Sequence, residues 1–262
     1  MVVFQSYGVR VLVDVPCESV AERVRRLMPA EWEVQVPDDA DVRYALRLLE
    51  DVWSLKLDGV DIIEHSDLDA VIDRLASDIH HRIALHARNL TFVHAGVVAY
   101  DGGAVILPGR SHSGKSTLVA ALICAGADYY SDEYAVFDDE GTVHPYPKFL
   151  SLRSDAVRYR EVVTAEALGG RTADTCLRAH LVAFLTYKPG AMFEPAALSP
   201  AQTLLNLLDH AIHGRRHSAA ALNQLARVVS DARAFRSERG EAEETAQMIL
   251  HFLDTASSAG RT

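Results

Sequence analysis

Cysteine is scarce in this sequence and badly placed for any staple. Its three cysteines, Cys17, Cys124 and Cys176, are odd in number and far apart, and none belongs to a C-x-x-C pair. That excludes a disulfide framework and gives no zinc or redox signature. Basic charge is also in deficit: 26 Lys and Arg face 36 Asp and Glu, for a net charge of −10. A chain of that sign repels nucleic-acid backbones unless it builds a strong local basic patch. The nearest thing to one is Arg215-Arg216 with its histidine neighbours, which is short and reads as a helix terminus facing water. Long apolar runs are missing too, so no segment reaches bilayer length. The opening MVVFQSYGVRVLVDV lacks the basic region and apolar stretch of a secretory signal. Internal repeats and long linkers are absent. The expectation is a cytoplasmic protein with neither nucleic acid nor membrane as partner.

What is present is ordinary globular material. The 262 residues are 49% hydrophobic, enough for one large domain or two modest ones, each with a proper core. Residues 9–15 and 52–57 read as short strands, with a helix ESVAERVRRLMP between them, stopped by Pro29. Ser66 then opens a longer helix, with Asp69 as capping-box partner and Leu68, Val71, Ile72, Leu75, Ile79 and Ile83 at helical spacing. Residues 1–88 are thus expected to form a small α/β domain.

From Leu90 the character changes. LTFVHAGVVAY and GAVILPG read as two strands joined at Asp101-Gly102-Gly103. STLVAALICA reads as a helix closed by Gly126, and DYYSDEYAVFD as one strand. YPKFLSLR and RAHLVAFLTY are two further strands. Helices are expected at 200–213, 218–233 and 241–256, which makes the carboxyl end helical, with 257–262 as a disordered tail.

Between the second strand and its helix lies Gly109-Arg110-Ser111-His112-Ser113-Gly114-Lys115-Ser116, the G-x-x-x-x-G-K-[ST] spacing of a Walker A phosphate loop. The chemistry needs that pattern in that context. Backbone N–H groups from Ser111 to Lys115 converge on a β-phosphate at the positive end of the following helix. Lys115 adds a point charge for the β- and γ-phosphates, Ser116 a hydroxyl for Mg²⁺, and Thr117 a hydroxyl for the α-phosphate. A glycine-rich turn with a capping serine is the plain alternative, and the strand before and helix after favour nucleotide binding.

Phosphoryl transfer also needs a second metal ligand and a group for the nucleophile's proton. Asp132-Glu133, closing the next strand, supply two carboxylates; a solvated strand end is the other reading. His94, in FVHAGVVAY, is either a hydrogen-bonded core histidine or a functional one. Arg153 ends KFLSLR, and it is either an exposed strand-end arginine or a clamp on a transferred phosphoryl group.

Taken together, VHAGVVAYDGGAVILPGRSHSGKSTLVAAL and GADYYSDEYAV resemble the catalytic domain of the HPr kinase/phosphorylase family and its relatives, including HPr-kinase-like proteins associated with lasso-peptide biosynthesis. The match is good over about 90–155 and weaker to about 255, where VHPYPKFLSLR and ARAFRSERGEAEETAQMIL are also similar. The resemblance implies a phosphoenolpyruvate-carboxykinase-like P-loop kinase domain over 89–256. It implies ATP and Mg²⁺ as cofactors and a serine-type hydroxyl as acceptor. It gives His94 as the active-site histidine, Asp132 as general base, Glu133 with Ser116 at the metal, and Arg153 as the arginine that follows the acidic strand.

Three departures stand out. His112 replaces a loop glycine, and the acidic pair is Asp-Glu rather than Asp-Asp. The segment E-I-R-G-L-G-I-I-D of the bifunctional members is absent, with FLSLRSDAV in roughly its place. The expectation is therefore a serine kinase without phosphorylase activity, acting on a protein or peptide. The alternatives are a kinase for a hydroxylated metabolite such as free serine, or a non-enzymatic nucleotide-dependent switch. Self-association into a homo-oligomer is left open.

Overall fold

The computed structural model describes residues 1–29, 32–34, 39–110, 113–152, 161–212 and 218–259. Ser111, His112, Arg153 and the Arg215-Arg216 pair lie outside the described residues. The chain is a mixed α/β protein dividing into two compact units, Met1–Arg88 and Asn89–Thr262.

The first unit contains β1 (Val2–Ser6), β2 (Val9–Asp14), α1 (Glu18–Arg25), β3 (Val42–Leu49), β4 (Val52–Leu57), β5 (Val60–His65) and α2 (Leu68–His86). The strands pair in sequence order, with β2 and β3 parallel across α1 and the rest antiparallel. β1 and β2, β3 and β4, and β4 and β5 are joined by two-residue turns at Tyr7-Gly8, Glu50-Asp51 and Asp58-Gly59. All six turn residues have positive φ, the mirror-image geometry that suits the right-handed twist of a hairpin. On α2 the spaced residues Val71, Ile72, Leu75, Ile79 and Ile83 are buried, as their period demands. Its cap differs from the expected one. Asp67, not Ser66, is the N-cap and accepts from the Asp69 amide at 3.0 Å, because Asp67 takes the extended backbone that lets a carboxylate fold back.

The second unit begins with β6 (Thr91–Tyr100) and β7 (Gly103–Pro108), a hairpin turned at Asp101-Gly102 as its sequence indicates. Next come α3 (Lys115–Cys124), β8 (Asp128–Ser131), β9 (Tyr134–Phe137), β10 (Thr142–His144), β11 (Leu150–Leu152) and β12 (Glu161–Val163). β13 (Leu177–Tyr187), β14 (Ala196–Ala197), α4 (Pro200–Leu208), α5 (Ser218–Asp231), β15 (Arg233–Arg239) and α6 (Ala242–Ala259) complete it.

Several features differ from the sequence reading. The stretch DYYSDEYAVFD is two strands, β8 and β9, both against β6, with Asp132-Glu133 in a bend between them. The Ser131 hydroxyl breaks the ladder there by accepting the amides of Glu133 (3.1 Å) and Tyr134 (3.0 Å). The expected strand YPKFLSLR shrinks to β11. The first carboxyl-terminal helix stops at Leu208 rather than 213, and the last runs to Ala259 rather than 256. Finally, the carboxyl end is not wholly helical. β15, an unforeseen strand, lies parallel to β13, which in turn lies parallel to β7.

β10 pairs with both β9 and β13, so β10, β9, β6, β7 and β13 close pairwise into a ring. One face of the sheet buries Val93, Ala95, Val97, Ile106, Phe137 and Val182 with side chains of α4 and α5. The other packs Val98, Val105, Leu107 and Leu181 against α3 and α6. Every residue of α3 from Leu118 to Ile123 is buried, the signature of a helix enclosed on all sides. It reaches the sheet closely because position 96 carries no side chain: a Cβ on Gly96 would stand 2.6 Å from Val119 Cγ2. Among the described residues no helix is long and apolar enough to cross a membrane.

Candidate active site

The parallel strands β7, β13 and β15 deliver their carboxyl ends, Pro108, Tyr187 and Arg239, to one rim of the sheet. The carboxyl ends of parallel strands are a common place for ligands in α/β sheets. The loop after β7 carries Gly109, Arg110, Ser113 and Gly114 and ends on α3. β6 runs antiparallel beside β7 and pairs Ala95 with Pro108 at the same level, and the Gly109 amide donates to the His94 carbonyl at 3.1 Å. His94 and the acidic bend therefore reach the loop through direct strand pairing, because the Ala95 amide donates to the Glu133 carbonyl at 3.2 Å.

Gly114 is the N-cap of α3 with φ 79, a left-handed conformation open to glycine at little cost. Lys115 opens the helix, and its Nζ donates to the carbonyls of Gly109 and Arg110, both at 2.8 Å. Burial lowers its pKa, helped by the charge of Lys148 and opposed by Glu133 and Asp132. Ser116, one residue on, donates its hydroxyl to Asp132 Oδ2 at 2.7 Å. Thr117 is exposed on the first turn.

Asp132 is almost inaccessible, at 3%. Its Oδ1 lies 3.1 Å from Lys148 Nζ and 3.1 Å from the Tyr129 hydroxyl. That phenol has a second acceptor, the Lys148 carbonyl, at 2.9 Å, and burial with the Asp132 charge holds its pKa far up. Glu133 is more open, its side chain 32% exposed. Its Oε1 is 3.9 Å from His94 Nδ1 and its Oε2 3.7 Å from Lys148 Nζ. The His94 ring in turn rests on Tyr134, with centroids 4.9 Å apart. His94, Lys115, Ser116, Asp132 and Glu133 are therefore joined by a short chain of contacts.

Sequence reasoning assigned no role to two residues that belong here. Lys148 bridges the two carboxylates. Arg239, 4% exposed at the end of β15, donates to the Gly114 carbonyl at 3.2 Å and to the Gly240 carbonyl at 3.0 Å. Its guanidinium lies 5.1 Å from the Tyr187 ring centre, and burial lowers its pKa. The only signal for Arg239 was a period-two alternation in RAFRSER, disguised by arginines on both faces.

A cavity of about 540 Å³ opens over the loop, lined by Gly109, Arg110, Ser113, Gly114, Tyr187 and His210 among others. A second, of about 590 Å³, adjoins it through the shared Phe184, Thr186 and His210. Burial lowers the pKa of His210, opposed by Asp209 and aided by the charges of Lys115 and Arg110, which disfavours the charged imidazole between the cavities.

The residues fit a nucleoside phosphate with its metal. Among the described residues Ser113 Oγ is buried without a hydrogen-bond partner, as a group that meets a ligand would be. The oxygens of Ser116 and Asp132 suit Mg²⁺, which takes one or two protein oxygens and completes its shell from phosphate and water. Among the described residues no cluster of three or more His, Cys, Asp or Glu forms an all-protein metal cage.

No family model matches the chain, and no curated protein matches it. Among solved structures, the HPr(Ser) kinase/phosphatase from Coxiella burnetii is similar to it over 65% of this chain and 99% of that one. The two share 14% sequence identity, with a TM-score of 0.33.

Proposed function

We propose that the second unit is an ATP- and Mg²⁺-dependent kinase domain of phosphoenolpyruvate-carboxykinase-like arrangement. In this reading it transfers the γ-phosphoryl group to a serine-type hydroxyl on a protein or peptide. The observation that carries this is the 2.7 Å hydrogen bond from Ser116, first turn of the phosphate-loop helix, to Asp132, with Glu133 and His94 adjacent. A glycine-rich turn with no catalytic purpose has no reason to couple its helix to a buried carboxylate, since burying that charge is costly.

In this mechanism the loop amides and Lys115 hold the phosphates, and Arg239 fixes the loop from behind. Bound Mg²⁺ would supply a Lewis acid and charge neutralisation on the phosphates. The distances favour exchanging the two carboxylate roles that the family resemblance implies. Both oxygens of Asp132 are engaged and the group is nearly sealed, which suits the metal side next to Ser116. Glu133 is open enough to meet an incoming hydroxyl and take its proton, with His94 orienting it. Catalysis then rests on positioning and electrostatics, as phosphoryl transfer generally does.

A small hydroxylated metabolite such as free serine is the second reading, favoured by the second pocket, of about 590 Å³, beside the loop cavity. Labelled ATP incubated with panels of proteins, serine peptides and hydroxylated metabolites tests both. Label on a macromolecule supports the first reading and label on a small molecule the second. ATP turnover with no labelled acceptor in any panel overturns the kinase assignment.

A further inference from the structure

Lys148 is held at both ends of the residue. Its carbonyl accepts from the Tyr129 hydroxyl, and its ammonium, on a side chain 11% exposed, sits between Asp132 Oδ1 at 3.1 Å and Glu133 Oε2 at 3.7 Å. The segment that delivers it is firmly packed. Tyr146 is fully buried, its amide donates to the Tyr130 carbonyl at 3.2 Å, and its ring meets Phe92 and Tyr134 edge-on. The charge of Lys148 also acts on Lys115, alongside those of Asp132 and Glu133. Two ammonium groups and two carboxylates thus lie close together, and their formal charges cancel.

We propose that Lys148 is a built-in counter-ion that closes the metal site to a bare divalent cation and makes metal binding depend on nucleotide. The proposal rests on the nucleotide reading of the loop. A divalent ion approaching Asp132 meets an ammonium already 3.1 Å from one carboxylate oxygen, in surroundings where like charges repel strongly. The ion would bring two positive charges to a cluster that already balances. Nucleotide phosphates change that sum, because their negative charge offsets the metal's and their oxygens supply most of its ligands. Lys148 also keeps the two acidic side chains from repelling each other apart, so it acts as a positioning residue for both.

The test compares wild type with Lys148→Met, Lys148→Gln and Lys148→Arg in the absence of nucleotide. Mn²⁺ serves as the spin-active probe, with free ion read by electron paramagnetic resonance and thermal melts recorded with and without it. Wild type and Lys148→Arg should show no saturable Mn²⁺ binding up to millimolar concentration. Lys148→Met and Lys148→Gln should bind at least about tenfold more tightly, a change of about 1.4 kcal/mol. Their melting temperatures, lowered by loss of the counter-charge beside the buried Asp132, should rise on adding Mn²⁺. Should the Met variant not fold, the Gln variant carries the comparison, since its amide still donates to Asp132. Equal Mn²⁺ affinities across all four proteins overturn the proposal, as does tight Mn²⁺ binding by wild type alone. Mg·ATP binding by wild type, measured in parallel, separates the two questions. If it fails, the nucleotide reading falls; if it holds while the Mn²⁺ titrations coincide, only the counter-ion role falls.

Discussion

Arg239 Nη2 lies 3.2 Å from the carbonyl oxygen of Gly114, joining the end of β15 to the turn that starts α3. A trans peptide points its C=O and N–H in opposite directions. The Gly114 carbonyl also accepts the Leu118 amide at 3.1 Å, so Arg239 and the first helical bond together hold it on one side and leave the Lys115 amide aimed the other way. Gly114 is constrained twice: its φ of 79 disfavours any side chain, and a Cβ there would stand 2.6 Å from Arg239 Nη2.

Gly114→Ala should accordingly cost about 1–3 kcal/mol of stability and abolish nucleotide-induced stabilisation. Arg239→Met should leave the apo fold intact but weaken Mg·ATP binding by roughly 10–100-fold, the equivalent of a charged hydrogen bond. Isothermal titration calorimetry with both variants measures this; unchanged affinity in Arg239→Met removes the loop-anchoring role.

Lys115→Ala should abolish the rise in melting temperature that Mg·ATP gives, while the apo protein stays folded and loses roughly 1.5–3 kcal/mol with the charge-assisted bonds from Nζ to the Gly109 and Arg110 carbonyls. A thermal-shift comparison decides it. Equal shifts in variant and wild type would sink the nucleotide assignment.

The two carboxylates should separate by phenotype. Glu133→Gln is expected to keep Mg·ATP binding and lose transfer by roughly 10²–10⁴-fold, the usual worth of a general base. Asp132→Asn should instead raise the Mg²⁺ requirement, because the Ser116 hydroxyl loses its charged acceptor. A magnesium titration of both variants showing the reverse pattern would restore the assignment that the family resemblance implies.

Asp138 offers a pH test remote from the loop. Burial opposes ionisation, but hydrogen bonds from His144 and from the amides of Thr142 and Glu140 leave its pKa below the ordinary 3.8. A carboxyl depressed on folding contributes stability that is present above pH 3.8 and lost as pH falls through the lower folded value. Denaturant melts between pH 2.5 and 7, a range of roughly the usual carboxyl titration, should show wild type losing this increment on acidification. Asp138→Asn should be less stable at pH 7 and show a flatter acid limb.

Much of the loop was legible because it rests on local rules. The apolar strand, the glycine at the left-handed position and the Lys-Ser opening of a helix are adjacent in sequence, and the Asp101-Gly102 turn announces its hairpin. The acidic pair was visible, but not the bend that presents it. The bend arises where the Ser131 hydroxyl competes with the strand ladder, a choice that propensity does not register. Lys148 and Arg239 were hidden for another reason. Each reaches the site through strand pairing or side-chain packing with distant residues, and a lone Lys or Arg in a polar stretch looks like surface. β15 was missed because its buried positions include Ser237 and Arg239 as well as Phe235, so its alternation is not a hydrophobic one.

The closure of β10, β9, β6, β7 and β13 also sets an order of assembly during synthesis. The β6–β7 hairpin and α3 are contiguous and can form as soon as they emerge, because local contacts need little loop closure. The ring cannot shut until β13 has been made, as it pairs with both β7 and β10. Arg239 arrives later still, on β15. A nascent or truncated chain can therefore present a recognisable phosphate loop long before that loop is anchored. On the proposed function, competence to bind nucleotide should therefore follow the docking of β15 on β13 rather than the formation of the loop itself.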